Sequence, residues 1–117
     1  MAVAQSALAQ FDATFLDAYT GGDVEARDQV LKLFLVQSHM LLGKLEVAVG
    51  NSKAWGEAAH SLKGCARSVG ANTVADIALR AEGEAAAAKD VQSRRLGELK
   101  SALDATSAQV EALMRSA

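Results

Sequence analysis

Residues 53–70 read Lys-Ala-Trp-Gly-Glu-Ala-Ala-His-Ser-Leu-Lys-Gly-Cys-Ala-Arg-Ser-Val-Gly. Trp55, Ala58, Ala59, Leu62, Cys65, Ala66 and Val69 recur three and four positions apart, the spacing that stacks side chains on one face of an α-helix. The pattern predicts a helix over about 53–69 with these residues in a core, ended by Gly70. His60 falls nearly opposite that face, with Lys53, Gly56, Glu57, Lys63, Gly64 and Arg67 around it. Gly56 and Gly64 lie one turn before and one turn after the histidine. Each costs roughly 1 kcal/mol of helix stability relative to alanine, in a chain otherwise generous with alanine. Bare backbone beside His60 implies room for something bulky to approach it.

The segments on either side carry the same period. Leu8, Phe11, Phe15, Leu16 and Tyr19 predict a first helix over about 5–19, stopped by Gly21-Gly22. Asp23 is suited to cap a second helix over about 24–49, whose apolar stripe runs from Val24 through Leu31, Phe34, Leu35, Leu41, Leu42 and Leu45 to Val49. Gly50-Asn51-Ser52 breaks it, a left-handed glycine followed by two good capping residues. Thr73-Val-Ala-Asp76 has capping-box spacing and predicts a fourth helix to about Lys89, with the alanine run 85–88 inside it. Asp90 is placed as the cap of a last helix over about 91–115, where Leu96, Leu99, Leu103, Val110, Leu113 and Met114 keep one face apolar. Its charges Arg94, Arg95, Glu98, Lys100 and Glu111 read as a solvated face.

Loops of two to four residues between helices force antiparallel neighbours. The expected fold is therefore all-α: an antiparallel up-down-up-down four-helix bundle over about 24–115, with an additional N-terminal helix across one end, in a single domain over residues 1–117. The absence of proline and of any sustained period-two alternation agrees with this.

Composition excludes several functions. A formal net charge of −2 offers no general attraction to nucleic acid or anionic membranes. No stretch approaches the roughly 18 apolar residues of a membrane span, and no basic start precedes a long apolar run. The expected location is cytoplasmic. A single cysteine, Cys65, makes no internal disulfide and reads as a small buried hydrophobe. The only two histidines, His39 and His60, lie on different helices, so no metal site is expected. His39, at the edge of its helix's apolar stripe, reads as a partly buried structural residue or part of a docking rim.

That leaves His60 as a nucleophile. An exposed imidazole is mostly neutral near pH 7, and Lys63 and Arg67, one and two turns on, supply positive charge for a dianionic phosphoryl adduct. No Gly-x-x-x-x-Gly-Lys-Ser/Thr, Gly-x-Gly-x-x-Gly or acidic metal cluster is present, so the domain has no ATP-dependent kinase activity of its own to expect. The phosphoryl group must come from, and pass to, another protein.

Ala-His-Ser-Leu-Lys-Gly-Cys-Ala-Arg-Ser-Val-Gly-Ala (59–71) resembles the signature of histidine-containing phosphotransfer (HPt) domains. The likeness extends upstream through Leu33-Phe34-Leu35 and Trp55 to Ala59, and downstream into Leu79–Glu82. It implies that His60 is phosphorylated, through Nε2, and that Lys63 orients and neutralises the phosphoryl group. Gly64 would leave room for the partner. Lys53, Gly56, Glu57 and Ser61 fall on the same docking rim, with Arg67 and Ser68 continuing the motif. The partners implied are receiver domains, one on a hybrid histidine kinase and one on a response regulator, each supplying its own Mg²⁺; this chain would bind no cofactor and act as a monomer. A phosphotransfer domain of a chemotaxis-type kinase and a non-catalytic helical binding module are the alternatives. The phosphoacceptor helix pair of a sensor kinase fits less well, because Ser61 stands where that family has an acid and no proline follows.

Overall fold

A computed structural model describes residues 11–116. Four helices dominate: α2 (Val24–Ala48), α3 (Ser52–Arg67), α4 (Asn72–Gly83) and α5 (Lys89–Ser116), preceded by α1, a single turn at Asp17–Thr20. Each long helix packs on its neighbour in sequence, and α5 closes back onto α2. Cross-contacts give the sense of that closure. Arg27 reaches the Leu113 carbonyl, Glu46 pairs with Lys100, and the Gly50 amide donates to Gln92. Rising numbers on α2 meet falling numbers on α5, so the two are antiparallel. Among the described residues there is no strand, only one isolated antiparallel bridge between Phe11 and Ala71.

The helix ends follow local chemistry. The Asp23 carboxylate accepts from the Glu25 and Ala26 amides, and Asn51 Oδ1 accepts from the Ala54 amide, so α2 and α3 start where their caps stand. Gly50 and Gly70 take positive φ values of 87° and 75° in the turns after α2 and α3, a conformation glycine adopts without a Cβ penalty. Trp55, Ala58, Ala59, Leu62, Ala66 and Val69 are buried, as the spacing predicts, against Leu31, Phe34, Leu45 and the α5 leucines. Cys65 is half-buried, and Val24 is exposed instead of belonging to the core.

Several expectations are corrected. Residues 5–10 of the expected first helix lie outside the described residues, and the rest does not form one continuous helix. Asp12 donates its amide to Gly70 O and turns its carboxylate to the Thr14 amide and hydroxyl, which starts a fresh 3-10 turn at Ala13–Leu16. A residue that caps a new turn cannot also sit mid-helix. Leu16 is fully buried, so this segment still anchors to the bundle.

The helix α4 begins at Asn72, after Ala71, with no side-chain cap, so the expected capping box is not used. It also ends at Gly83, leaving Ala85–Ala88 in a loop despite the high helix propensity of alanine. Tertiary hydrogen bonds decide this. Gln92, 1% exposed, donates through Nε2 to the carbonyls of Glu84 and Ala85 while its Oε1 takes the Gly50 amide. Arg95 holds the Glu84 carboxylate in a two-pronged grip at 2.8 and 2.7 Å and also contacts Glu98. Arg95 is thus a loop anchor, not part of a freely solvated face. Asp90 lies inside the first turn of α5 rather than capping it, favourable there beside the helix dipole. No described helix is long and apolar enough to cross a membrane.

Candidate functional site

His60 stands on the outer face of α3 with 67% of its side chain exposed. Its Nδ1 lies 2.8 Å from Oε2 of Glu82, on α4. An ionised carboxylate only accepts, so in the neutral ring the proton sits on Nδ1 and Nε2 carries the lone pair. The other oxygen of Glu82 accepts from Lys63 Nζ at 2.6 Å. One carboxylate therefore fixes both the tautomer of the histidine and the position of the ammonium one turn on. The two hydrogen bonds, Lys63's first and His60's second, hold the Glu82 carboxyl below the usual carboxylate range. The Lys63 stem is packed down, with its side chain 14% exposed.

This contact changes the sequence picture. Composition along α3 set Lys63 and Arg67 as bare cations near the imidazole, whereas Glu82 stands between His60 and Lys63 and offsets the nearer charge. Glu82 was not singled out as a site residue. Its signal was its register: it follows Ala78 by four positions and Ala75 by seven, so it shares their inward face and points at α3. A charged side chain on an inward register needs a partner. Trp55 fixes the same pair of helices from beneath, donating its indole N–H to Ala81 O at 2.6 Å in the buried interior.

The two glycines have different surroundings. A Cβ on Gly64 would meet nothing within 4 Å, so this position opens outward beside the histidine. A Cβ on Gly56 would lie 3.5 Å from the Ala85 methyl, so Gly56 faces the α4–α5 loop. Ser61 and Gly64 line a shallow groove between α2 and α3 that includes His60, Met40, Leu41 and Gln37. Half-buried Cys65 also lines it, and burial pushes its thiol pKa up, away from reactivity. The groove continues past Glu57 towards Lys44, Val47 and Ala54. Lys53 is exposed two turns before His60, and Arg67 is exposed two turns after it. Ser68 ends α3 and donates its hydroxyl to Cys65 O, a helix-terminal role at some distance from the imidazole.

The outer face of α2 holds what periodicity alone did not select. Leu33, Val36, Met40 and Val47 are spaced along one stripe and are 56, 68, 54 and 87% exposed. The apolar residues of α2 are too many for one core-facing stripe, and this second set faces out, with Met40 lining the groove that includes His60. His39, at the edge of the first set, is exposed, with Nδ1 2.7 Å from the Leu35 carbonyl one turn back.

An exposed, tautomer-fixed histidine with an ammonium one turn on, in a helical bundle, is the arrangement of a phosphotransfer domain. Residues 29–116 match the family model described as Hpt domain, and the chain belongs to that family. Membership carries a phosphotransfer role in two-component phosphorelays and interaction with receiver domains. No match was found among curated proteins or among solved structures.

Proposed function

We propose that His60 accepts a phosphoryl group from the phosphoaspartate of one receiver domain and passes it to the aspartate of another. The observation that carries this is the His60–Glu82–Lys63 bridge. The Nε2 lone pair attacks phosphorus in line with the aspartyl oxygen, the N–P bond forms as the acyl-phosphate O–P bond breaks, and the aspartate carboxylate departs. The ring gains positive charge as it attacks. Glu82, already accepting from Nδ1–H, stabilises that charge and leaves no proton on Nε2 to be displaced. Lys63 then has two anions within its swing, Glu82 and the new phosphoryl group, and transfers part of its hydrogen bonding to the latter. The reverse transfer retraces these steps.

The receiver supplies the Mg²⁺ and an acidic phosphorylation pocket, to which Lys53, Lys63 and Arg67 are complementary. Its apolar docking surface meets exposed Met40, Val36 and Val47 on α2, and Ser61 and Glu57 line the same groove as Met40 and Val47. Gly64 admits the partner's backbone. The chain acts as a monomer in the cytoplasm, between a hybrid histidine kinase and a response regulator.

Incubation with a phosphorylated cognate receiver should place an acid-labile, base-stable label on this chain, and His60→Gln should abolish it. Failure of every receiver domain of the source organism to label the folded chain would overturn the relay reading in favour of a binding-only bundle.

A further inference from the structure

A groove of about 760 Å³ runs between α4 and α5. Ile77 and Arg80, on its α4 wall, lie about half a turn around the helix from Glu82, so the groove faces away from the phosphotransfer site. Its floor is apolar: Ala102 is buried, and Ile77 and Ala105 are half-buried. The α5 wall is low, because Gly97, Ser101 and Ala105 follow one another at one-turn intervals. A Cβ on Gly97 would meet nothing within 4 Å, so packing inside the bundle gives no reason for a glycine that costs α5 about 1 kcal/mol relative to alanine. What it leaves is open backbone along the groove.

The charges of the groove are sorted. Hydrogen bonds from Gln92 and Arg95 to residues 84 and 85 set the start of α5 beside the end of α4, so Arg80 and Arg94 share one end, whereas Asp76 stands one turn back along α4. Glu84, the acid on which both arginines act, is already held by Arg95, which also holds Glu98. Among the described residues, Arg80, Arg94 and Asp76 make no hydrogen bond or ion pair. Two exposed guanidiniums, one from each helix, thus stand unpaired at one end of an apolar trough.

We propose that the α4–α5 groove docks an amphipathic helix of a partner protein, with small and aliphatic side chains on Ile77, Ala102 and Ala105 and an acidic pair at one end on Arg80 and Arg94. Guanidinium groups grip carboxylates with two parallel hydrogen bonds, and the apolar floor supplies the remaining contact. Thr73 to Arg80 spans about 10 Å, room for about two turns of the incoming helix. Asp76 repels acid farther along, so the groove selects partners that are acidic at one end only. That aspartate and the net charge of −2 disfavour nucleic acid and anionic membrane, which are negative throughout. An occupant there leaves the His60 face uncovered. The site stands on α4 and α5 alone and does not depend on the relay reading.

The test uses the full chain and three capped peptides of about 14 residues, with leucine and alanine along one helical face and a pair of glutamates, glutamines or lysines beside its last turn. In ¹⁵N spectra the glutamate peptide should shift the amides of Ile77, Arg80, Gly97 and Ser101 saturably and bind about tenfold tighter than the lysine peptide, with the glutamine peptide between them. The double variant Arg80→Glu, Arg94→Glu should reverse that order. Ser101→Phe, which fills the trough, should abolish binding of all three, with circular dichroism confirming the fold of each variant. No saturable shift from the glutamate peptide, equal affinity for the glutamate and lysine peptides, or shifts centred on Met40 and Ser61 would each overturn the proposal. Shifts at Gly97 and Ser101 that grow with chain concentration in the absence of peptide would overturn it in favour of a second copy as the occupant.

Discussion

Glycines 56 and 64 are a matched pair in sequence, each one turn from His60, and they separate under one perturbation. Replacing a mid-helix glycine by alanine gains about 0.5–1 kcal/mol when the new methyl fits. At Gly64 the methyl meets nothing within 4 Å; at Gly56 it touches the Ala85 methyl at 3.5 Å, an ordinary contact. Both Gly56→Ala and Gly64→Ala should therefore raise the urea midpoint, and the melting temperature by roughly 4 °C. Function should divide them. The Gly56 methyl points into the α4–α5 loop, so transfer from a phosphorylated receiver should proceed at the parent rate. The Gly64 methyl enters the space the receiver must occupy, and Gly64→Leu, with a far larger obstruction and an intact fold, should slow transfer on the order of tenfold, the equivalent of about 1.4 kcal/mol of lost docking. The assay is rapid-quench transfer of label from the receiver to His60 under limiting chain, with circular dichroism to confirm folding. Parent-rate transfer by folded Gly64→Leu would refute the steric account. A stability loss in Gly64→Ala would refute the reading of its open surroundings.

Two further perturbations follow from the hydrogen-bond geometry. Glu82→Gln keeps an acceptor near His60 but removes the charge that holds Lys63, so imidazole ¹⁵N spectra should show a larger share of the Nε2–H tautomer and transfer should slow on the order of tenfold. Because the folded Glu82 carboxyl titrates lower than in the unfolded chain, the bridge's contribution is complete above the ordinary carboxylate pKa of about 4.3 and lost as pH falls through the lowered value; a ¹³C carboxyl titration with its midpoint at or above 4.3 would contradict this. Gln92→Leu removes three part-buried hydrogen bonds of a buried side chain and leaves the Gly50 amide without its acceptor, at a cost of about 2–4 kcal/mol and roughly 10 °C in melting temperature. A loss below about 0.5 kcal/mol would show that the two loops are held by other means.

Each helix was legible where its information is local. Periodic apolar residues, Asp23 and Asn51 as caps, and glycines at positive φ act within a few residues of one another, and the boundaries of α2 and α3 followed from them. Reading failed where a distant partner overruled local preference. Alanines 85–88 favour a helix by themselves, yet Gln92 and Arg95, on another helix, take the carbonyls and the carboxylate that shape the loop. Residues 11–16 have helical spacing, yet Asp12 spends its amide on Gly70 and its side chain on Thr14.

By itself the sequence determined an all-helical chain with His60 on an outward face and Lys63 one turn beyond it. Those properties depend on residue type and on the helical repeat, which are both written along one segment. Only the tertiary structure decided which nitrogen of His60 carries the proton, because the acceptor that decides it, Glu82, lies 22 residues away on α4. It also decided that Gly64 opens outward while Gly56 faces Ala85, and that the surplus apolar side chains of α2 face out, Met40 among them in the groove of the histidine. A wheel gives the direction of a side chain from its own helix axis; what waits in that direction depends on how the helices pack.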